Sequence, residues 1–206
     1  MKKEKDTTKK WYQKKLVIII GVILLIGIIG NALGGEESST SGGNSTNPET
    51  KAQAILDKAE ERFNKADYSG MIEKTEQITK DYPDTEVAKS IPTFIENLHN
   101  SLTKISSIQL VKEYNENEVN ADNNYKGKLI IITGKIESID VTLNTPYVRL
   151  SDGEQYSFKS VSCKIKNETQ INKSASLSKG QDITMIGRVT GATVGSPYLD
   201  DCFILD

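Results

Sequence analysis

Histidine occurs once in this 206-residue chain, at His99, and cysteine only twice, at Cys163 and Cys202. A single histidine removes Ser-His-Asp and Cys-His arrangements unless His99 itself serves, and it lies far in sequence from both cysteines. Two widely separated cysteines do not supply the paired ligand spacing of a zinc site. The carboxylate neighbours Asp152 and Glu154, and Asp200 and Asp201, read as solvated turns rather than acid-base machinery. The chain is therefore read as no enzyme, with no cofactor and no metal. Excess charge of one sign is also missing, since 26 Lys and Arg stand against 28 Asp and Glu for a net charge of -2. The balance is uneven along the chain. Lys2, Lys3, Lys5, Lys9, Lys10, Lys14 and Lys15 against Glu4 and Asp6 give the first fifteen residues +5, which leaves -7 for the rest. An acidic remainder disfavours nucleic acid as a partner, because non-specific binding rests on cations replacing counterions along the phosphates.

Polar residues are almost absent from residues 16–33, LVIIIGVILLIGIIGNAL, where Asn31 is the one interruption. Eighteen residues rising about 1.5 Å each cover about 27 Å, close to the bilayer core, and predict a transmembrane helix. Trp11 and Tyr12 precede it at the level of an interfacial aromatic belt, and Lys14 and Lys15 mark the cytoplasmic mouth. The expected topology is a single pass through the plasma membrane: residues 1–15 a basic cytoplasmic tail, the C-terminus extracytoplasmic, the lipid bilayer a partner through residues 16–33. A cleaved signal peptide is the competing reading of the same basic and apolar run. Residues 34–50, GGEESSTSGGNSTNPET, hold no apolar residue. They predict a flexible linker reaching about 20 to 25 Å.

Helical periodicity begins at residue 51. Ala52, Ile55, Leu56, Ala59 and Phe63 mark one face, followed by a break near Asp67 and a second helix with Met71, Ile72 and Ile78. Pro83 ends that helix, Asp84 is the expected cap of a third, and Val87, Ile91, Phe94, Ile95 and Leu98 form its apolar face, with Pro92 able to kink it. Phe63, Asp67, Tyr68, Ile72, Tyr82, Pro83 and Ala88 together resemble a tetratricopeptide-like hairpin of bacterial envelope proteins. That resemblance covers one repeat within residues 51–105. A single unit has no neighbours with which to build a groove, so it implies a spacer that packs on the next domain.

Residues 106–206 change character. Ser106 and Gln109 form a capping box opening a helix with Ile108, Leu110, Val111, Tyr114 and Ala121 that runs to about Tyr125. Strands are then predicted over Lys128 to Val141 with a bulge at Gly134, Tyr147 to Leu150, Tyr156 to Ile165, Asp182 to Thr190 and Tyr198 to Leu205. Between the third and fourth lies a helix-sized crossover, Asn167 to Leu177. Three strands, a crossover and two strands is the order of a five-stranded OB-fold β-barrel, and an SH3-like barrel is its rival, so the class is α+β.

Tyr114 to Glu118, Ala121 and Asp122, Tyr125 to Lys128, Thr133 to Ile136 and Gly187 to Gly191 resemble the tRNA_anti-like family of OB-fold proteins, over roughly Ile108 to Leu205. The resemblance implies a barrel whose third and fifth strands are neighbours. Cys163 and Cys202 fall on those strands, so a disulfide is expected, and closing a loop of about 40 residues stabilises by roughly 3 to 4 kcal/mol in the chain-entropy model. It also implies a ligand face on the second and third strands, with Lys135, Tyr147, Arg149, Tyr156 and Phe158 as candidate contacts. Outside the membrane the expected partner is a peptide, a glycan or an envelope protein, with single-stranded nucleic acid the alternative.

Overall fold

The structure is a computed structural model that describes residues 47–206; the expected tail and span, and all of the linker but its last four residues, lie outside them. No helix among the described residues is long and apolar enough to cross a membrane. Three helices come first: α1 (Pro48–Asn64), α2 (Tyr68–Asp81) and α3 (Glu86–Ser101). Each starts on a side chain that accepts an otherwise orphaned backbone N–H. Asn47 caps α1 through Glu49 N at 3.0 Å, and Asp67 caps α2 through Gly70 N at 2.8 Å. The third cap is Thr85, through Ala88 N at 3.1 Å, one residue beyond the expected Asp84. Glu49 closes the group by accepting from Glu86 N and Val87 N at 3.1 and 2.9 Å, placing a carboxylate on the positive end of α3. Pro92 sits exposed and α3 runs through it unbroken.

A short strand, β1 (Thr103–Ser106), leads into α4 (Ser107–Glu116) and α5 (Glu118–Tyr125). The sequence reads one helix where there are two. Asn117 divides them, because its own N–H bonds to Glu113 O while its side chain accepts from Asn120 N at 3.0 Å and starts a new helix. Tyr114 donates to Asp122 at 3.1 Å and Tyr125 to Glu113 at 2.8 Å, tying the two pieces together. Burial, then the bond to Glu113, pushes the Tyr125 phenol up to about 12.

The strands that follow are β2 (Leu129–Thr142), β3 (Thr145–Ser151), β4 (Ser160–Lys164), β5 (Asp182–Thr193) and β6 (Ser196–Ile204), with α6 (Glu168–Ser174) between β4 and β5. They pair in the order β2, β3, β4, β6, β5 and back to β2, a closed ring. β1 adds a sixth strand outside the ring, parallel to β2, to the five that hydrophobic patterning predicts. Inward residues of every ring strand fill one core with Leu110, Val111 and Tyr114 of α4. The register shift in β2 falls between Ile136 and Ser138 instead of at Gly134. Gly134 serves close approach: a Cβ there would stand 2.4 Å from Ser107 Oγ, which donates to Ser151 O at 2.5 Å.

The helices seat on β6. The Tyr68 ring meets Phe203 edge-on at 5.2 Å, its hydroxyl bonds His99 Nε2 at 2.7 Å, and Ser69 donates to Asp201 at 2.9 Å. Burial, then the charge of Lys104, holds the His99 imidazole below its usual range. A depressed folded value means that the neutral ring is favoured. The stability it contributes is therefore present above the unfolded value of about 6.5 and is lost as pH falls through the lower folded one. Thermal midpoints measured across that window should drop on acidification, and His99→Gln should flatten the drop; an unchanged pH profile in that variant would remove His99 from the account.

Candidate binding face

On β3 the side chains of Val148 and Leu150 enter the core, so Tyr147 and Arg149 face outward. Register extends that face across two more strands. Arg149 lies opposite Ser162 of β4, which lies beside Tyr198 of β6, and Tyr147 lies opposite Lys164. Ser162 is small and buried between two larger neighbours and forms a floor. Arg149 Nε donates to Asp140 Oδ2 at 2.8 Å, and Ser138 donates to the same oxygen at 2.8 Å, so the guanidinium is held at the edge with its charge matched. Lys164 and Lys159 form no ion pair among the described residues. Farther along β6, burial pushes the Asp200 carboxyl up, but Lys166 at 2.6 Å and Arg188 at 3.0 Å outweigh it and hold the carboxyl below its usual range.

Two-residue turns bracket the face. Leu143 and Asn144 join β2 to β3 with φ of 48° and 59°, and Val194 and Gly195 join β5 to β6 with 52° and 74°. Positive φ at both positions is the hairpin geometry that favours Asn-Gly. Leucine and β-branched valine are strained there, yet Leu143 is 95% exposed and Val194 83%. Val194→Asn should raise stability by about 1 kcal/mol by relieving that strain, and a denaturant titration would show it as a higher midpoint at unchanged slope.

The loop between β3 and β4 completes the surface. Asp152 is buried and accepts from Glu154 N and Ser157 Oγ, and Ser157 Oγ accepts from Lys159 N at 3.0 Å. These bonds fix the loop while its apolar side chains stay outside. Phe158 is fully exposed, and Tyr156, at φ 67°, is 88% exposed. Lys159 Nζ donates to Asn115 Oδ1 at 2.7 Å, and a Cβ on Gly195 would meet the same Asn115 oxygen at 2.0 Å. The end of α4 therefore buttresses both the aromatic loop and the β5–β6 turn at one end of the face.

Of the five residues expected to form the site, Tyr147 and Arg149 share one face. Tyr156 and Phe158 belong to the loop at its end and not to a strand: β4 begins only at Ser160, because Asp152 and Ser157 offer the backbone side-chain partners in place of a ladder. Lys135 lies elsewhere on the ring, bonded to Asp182 and Gly180 O, each at 3.1 Å. It borders a separate cleft of about 560 Å³ lined also by Ser106, Ser107, Thr133 and Ser151. Cys163 and Cys202 occupy the neighbouring strands β4 and β6, both buried and both free thiols, where a disulfide was expected. The sequence reading missed Ser162, Lys164, Tyr198 and Val194. Alternation along β4 and β6 carries a signal for the first three once the pairing is known; Val194 carries none beyond the glycine that follows it. No group of three or more His, Cys, Asp or Glu side chains among the described residues is placed to hold a metal.

A five-membered closed ring of strands with a helix between its third and fourth strands defines an OB-type protein, a class that binds across its second and third strands. The chain belongs to the tRNA_anti-like family, whose model matches residues 1–203. Solved structures similar to it include a Klebsiella pneumoniae lipoprotein described as nucleic acid-binding, 20% identical over 52% of this chain and 94% of that one, TM-score 0.42. Another is the OBody AM3L09 bound to hen egg-white lysozyme, 18% identical over 40% and 86%, TM-score 0.31. A third is the S. pombe Stn1-Ten1 complex, 17% identical over 37% and 57%, TM-score 0.30. The search of curated proteins gave no match.

Proposed function

We propose that this protein is a membrane-tethered, extracytoplasmic binding module without catalytic activity. It seats a stretch of peptide, glycan or envelope protein on the outer face of β3, β4 and β6. The observation that carries this reading is the β3–β4 loop, whose hydrogen bonds fix it in place while Tyr156 and Phe158 stand in solvent. A loop already ordered loses little freedom when a ligand arrives, and aromatic anchors beside a polar floor are the usual centre of a binding surface. The tether rests on the apolar run of residues 16–33 and the lysines before it.

Single-stranded nucleic acid is the second reading. Lys159 and Lys164 have no ion-pair partner among the described residues, and Lys164 lies opposite Tyr147, on a face whose aromatic rings could stack bases. The charge of -7 beyond residue 15 opposes it. A photoreactive phenylalanine analogue at position 158, activated in intact cells, separates the outcomes. Cross-linking to one polypeptide or glycan supports the first reading, a nucleic-acid adduct selects the second, and the absence of any adduct from a well-expressed protein overturns both.

A further inference from the structure

The cleft beside Lys135 lies off the outer face of β3, β4 and β6, where β1 ends, β2 runs on and β5 begins. Register explains its floor. Ser106 of β1 lies beside Thr133 of β2, and Thr133 lies opposite Thr184 of β5, so three hydroxyl side chains stand in a row across three strands on one face of the sheet. Two residues farther along β2 the same face carries Lys135 opposite Asp182, bonded at 3.1 Å. Two residues back it carries Ile131 opposite Ile186, both buried. The sheet therefore passes from covered and apolar to open and polar in one step of the ladder. Walls rise around the row where α4 begins. Ser107 reaches Ser151 O across Gly134, and Ile108, 55% exposed, stands where a Cβ on Gly153 would come within 2.9 Å of its Cδ1. These two glycines let α4 and the end of β3 close on β2. The space they leave, about 560 Å³, falls in the range of about 300 to 1,000 Å³ usual for small-molecule sites.

Charge and hydrogen-bonding capacity select the occupant. Lys135 is matched by Asp182, and Asp206 adds a second carboxylate, with Oδ1 accepting from Thr184 N at 2.8 Å. Two carboxylates against one ammonium leave the cleft one charge negative, which disfavours phosphate, sulfate and carboxylate ligands. The serine hydroxyls are committed, Ser106 to Gln109 N, Ser107 to Ser151 O and Ser151 to Gly153 N. The hydroxyls of Thr133 and Thr184 have no such partner among the described residues, and each can both donate and accept. A matching ligand is uncharged, carries several groups that also donate and accept, and offers an apolar side to Ile108. We propose that this cleft is a second binding site, for an uncharged saccharide whose hydroxyls bond Thr133 and Thr184 and whose ring C–H groups lie against Ile108. The inference is independent of what the outer face of β3, β4 and β6 binds.

The test uses the full isotope-labelled chain in a detergent that contains no sugar, titrated with lactose, maltose or cellobiose while backbone amide resonances are followed. At least one of the three should give saturable shifts at millimolar concentration, centred on Ser107, Ile108, Thr133, Lys135 and Thr184. Lactobionate, the carboxylate made from lactose, should bind more weakly than any disaccharide that binds. Thr133→Val and Thr184→Val keep a β-branched side chain on an open strand face and remove one hydroxyl each, so either should weaken binding about fivefold. If a variant does not fold, the shift map of the native chain decides alone. No saturable shift from any of the three, shifts centred on Tyr147, Arg149 and Ser162, lactobionate binding as well as the uncharged sugars, or folded valine variants that bind as before would each overturn the proposal. The second of these outcomes would leave the outer face as a binding surface and remove only the cleft.

Discussion

Phe158→Ala and Tyr156→Ala should each weaken ligand capture by roughly thirtyfold, about 2 kcal/mol, and leave the thermal midpoint of the protein almost unmoved. Both side chains are exposed, so truncation gives up little burial. Surface substitutions of that kind fall within about 0.5 kcal/mol in stability. The loop itself is held by Asp152 and Ser157, which neither variant touches. The pair of measurements, affinity against midpoint, is what matters. A variant that lost stability along with binding would point to the rings as structural supports, and one that bound as before would move the contact surface away from this loop.

Tyr68→Ala should be the most damaging single change among the described residues that join helices to sheet, costing about 3 to 5 kcal/mol. The ring is almost wholly buried, packs edge-on against Phe203 and bonds His99. For a folded part of this size the loss corresponds to roughly 10 °C in midpoint. Tyr68→Phe keeps the packing and removes the hydroxyl, so about 1 kcal/mol is expected from that bond alone. A calorimetric trace resolves the architecture as well. Because all the described residues fall in one compact unit, a single transition should move in both variants. Separate melting of helices and sheet in Tyr68→Ala, with the sheet unaffected, would show that the contact on β6 is incidental.

Much of this arrangement was legible in the amino acids. Strand order, the crossover helix and the neighbouring of the two strands that carry Cys163 and Cys202 followed from hydrophobic pattern and a family likeness, because strands buried on one side advertise their inward residues. The helical stretch was also readable, with Ala52, Leu56 and Phe63 all found buried. What escaped was decided by polar side chains acting on the backbone. Asn117 split a helix whose apolar spacing looked continuous, and Asp152 with Ser157 turned an apparent strand into a loop. β1 is four residues long, too short for alternation to register. The site was half legible: aromatic and basic residues were visible, but which of them share a face depends on register. Lys135 and Arg149 are separated by the irregularity after Ile136, which no composition reveals.

β2 holds an unusual position, with β1 along one side and β5 along the other from Ile130 to Thr133 before it passes to β3. Its backbone amides in that stretch have a neighbouring strand whichever way they point, and the side chains of Ile130 and Ile132 are buried beneath them. Solvent deuterium should reach these four last, at rates set by global unfolding rather than local fraying. The connection from α3 runs directly onto this best-protected strand through β1, so mechanical load on the helical end is delivered to the part of the molecule that yields last.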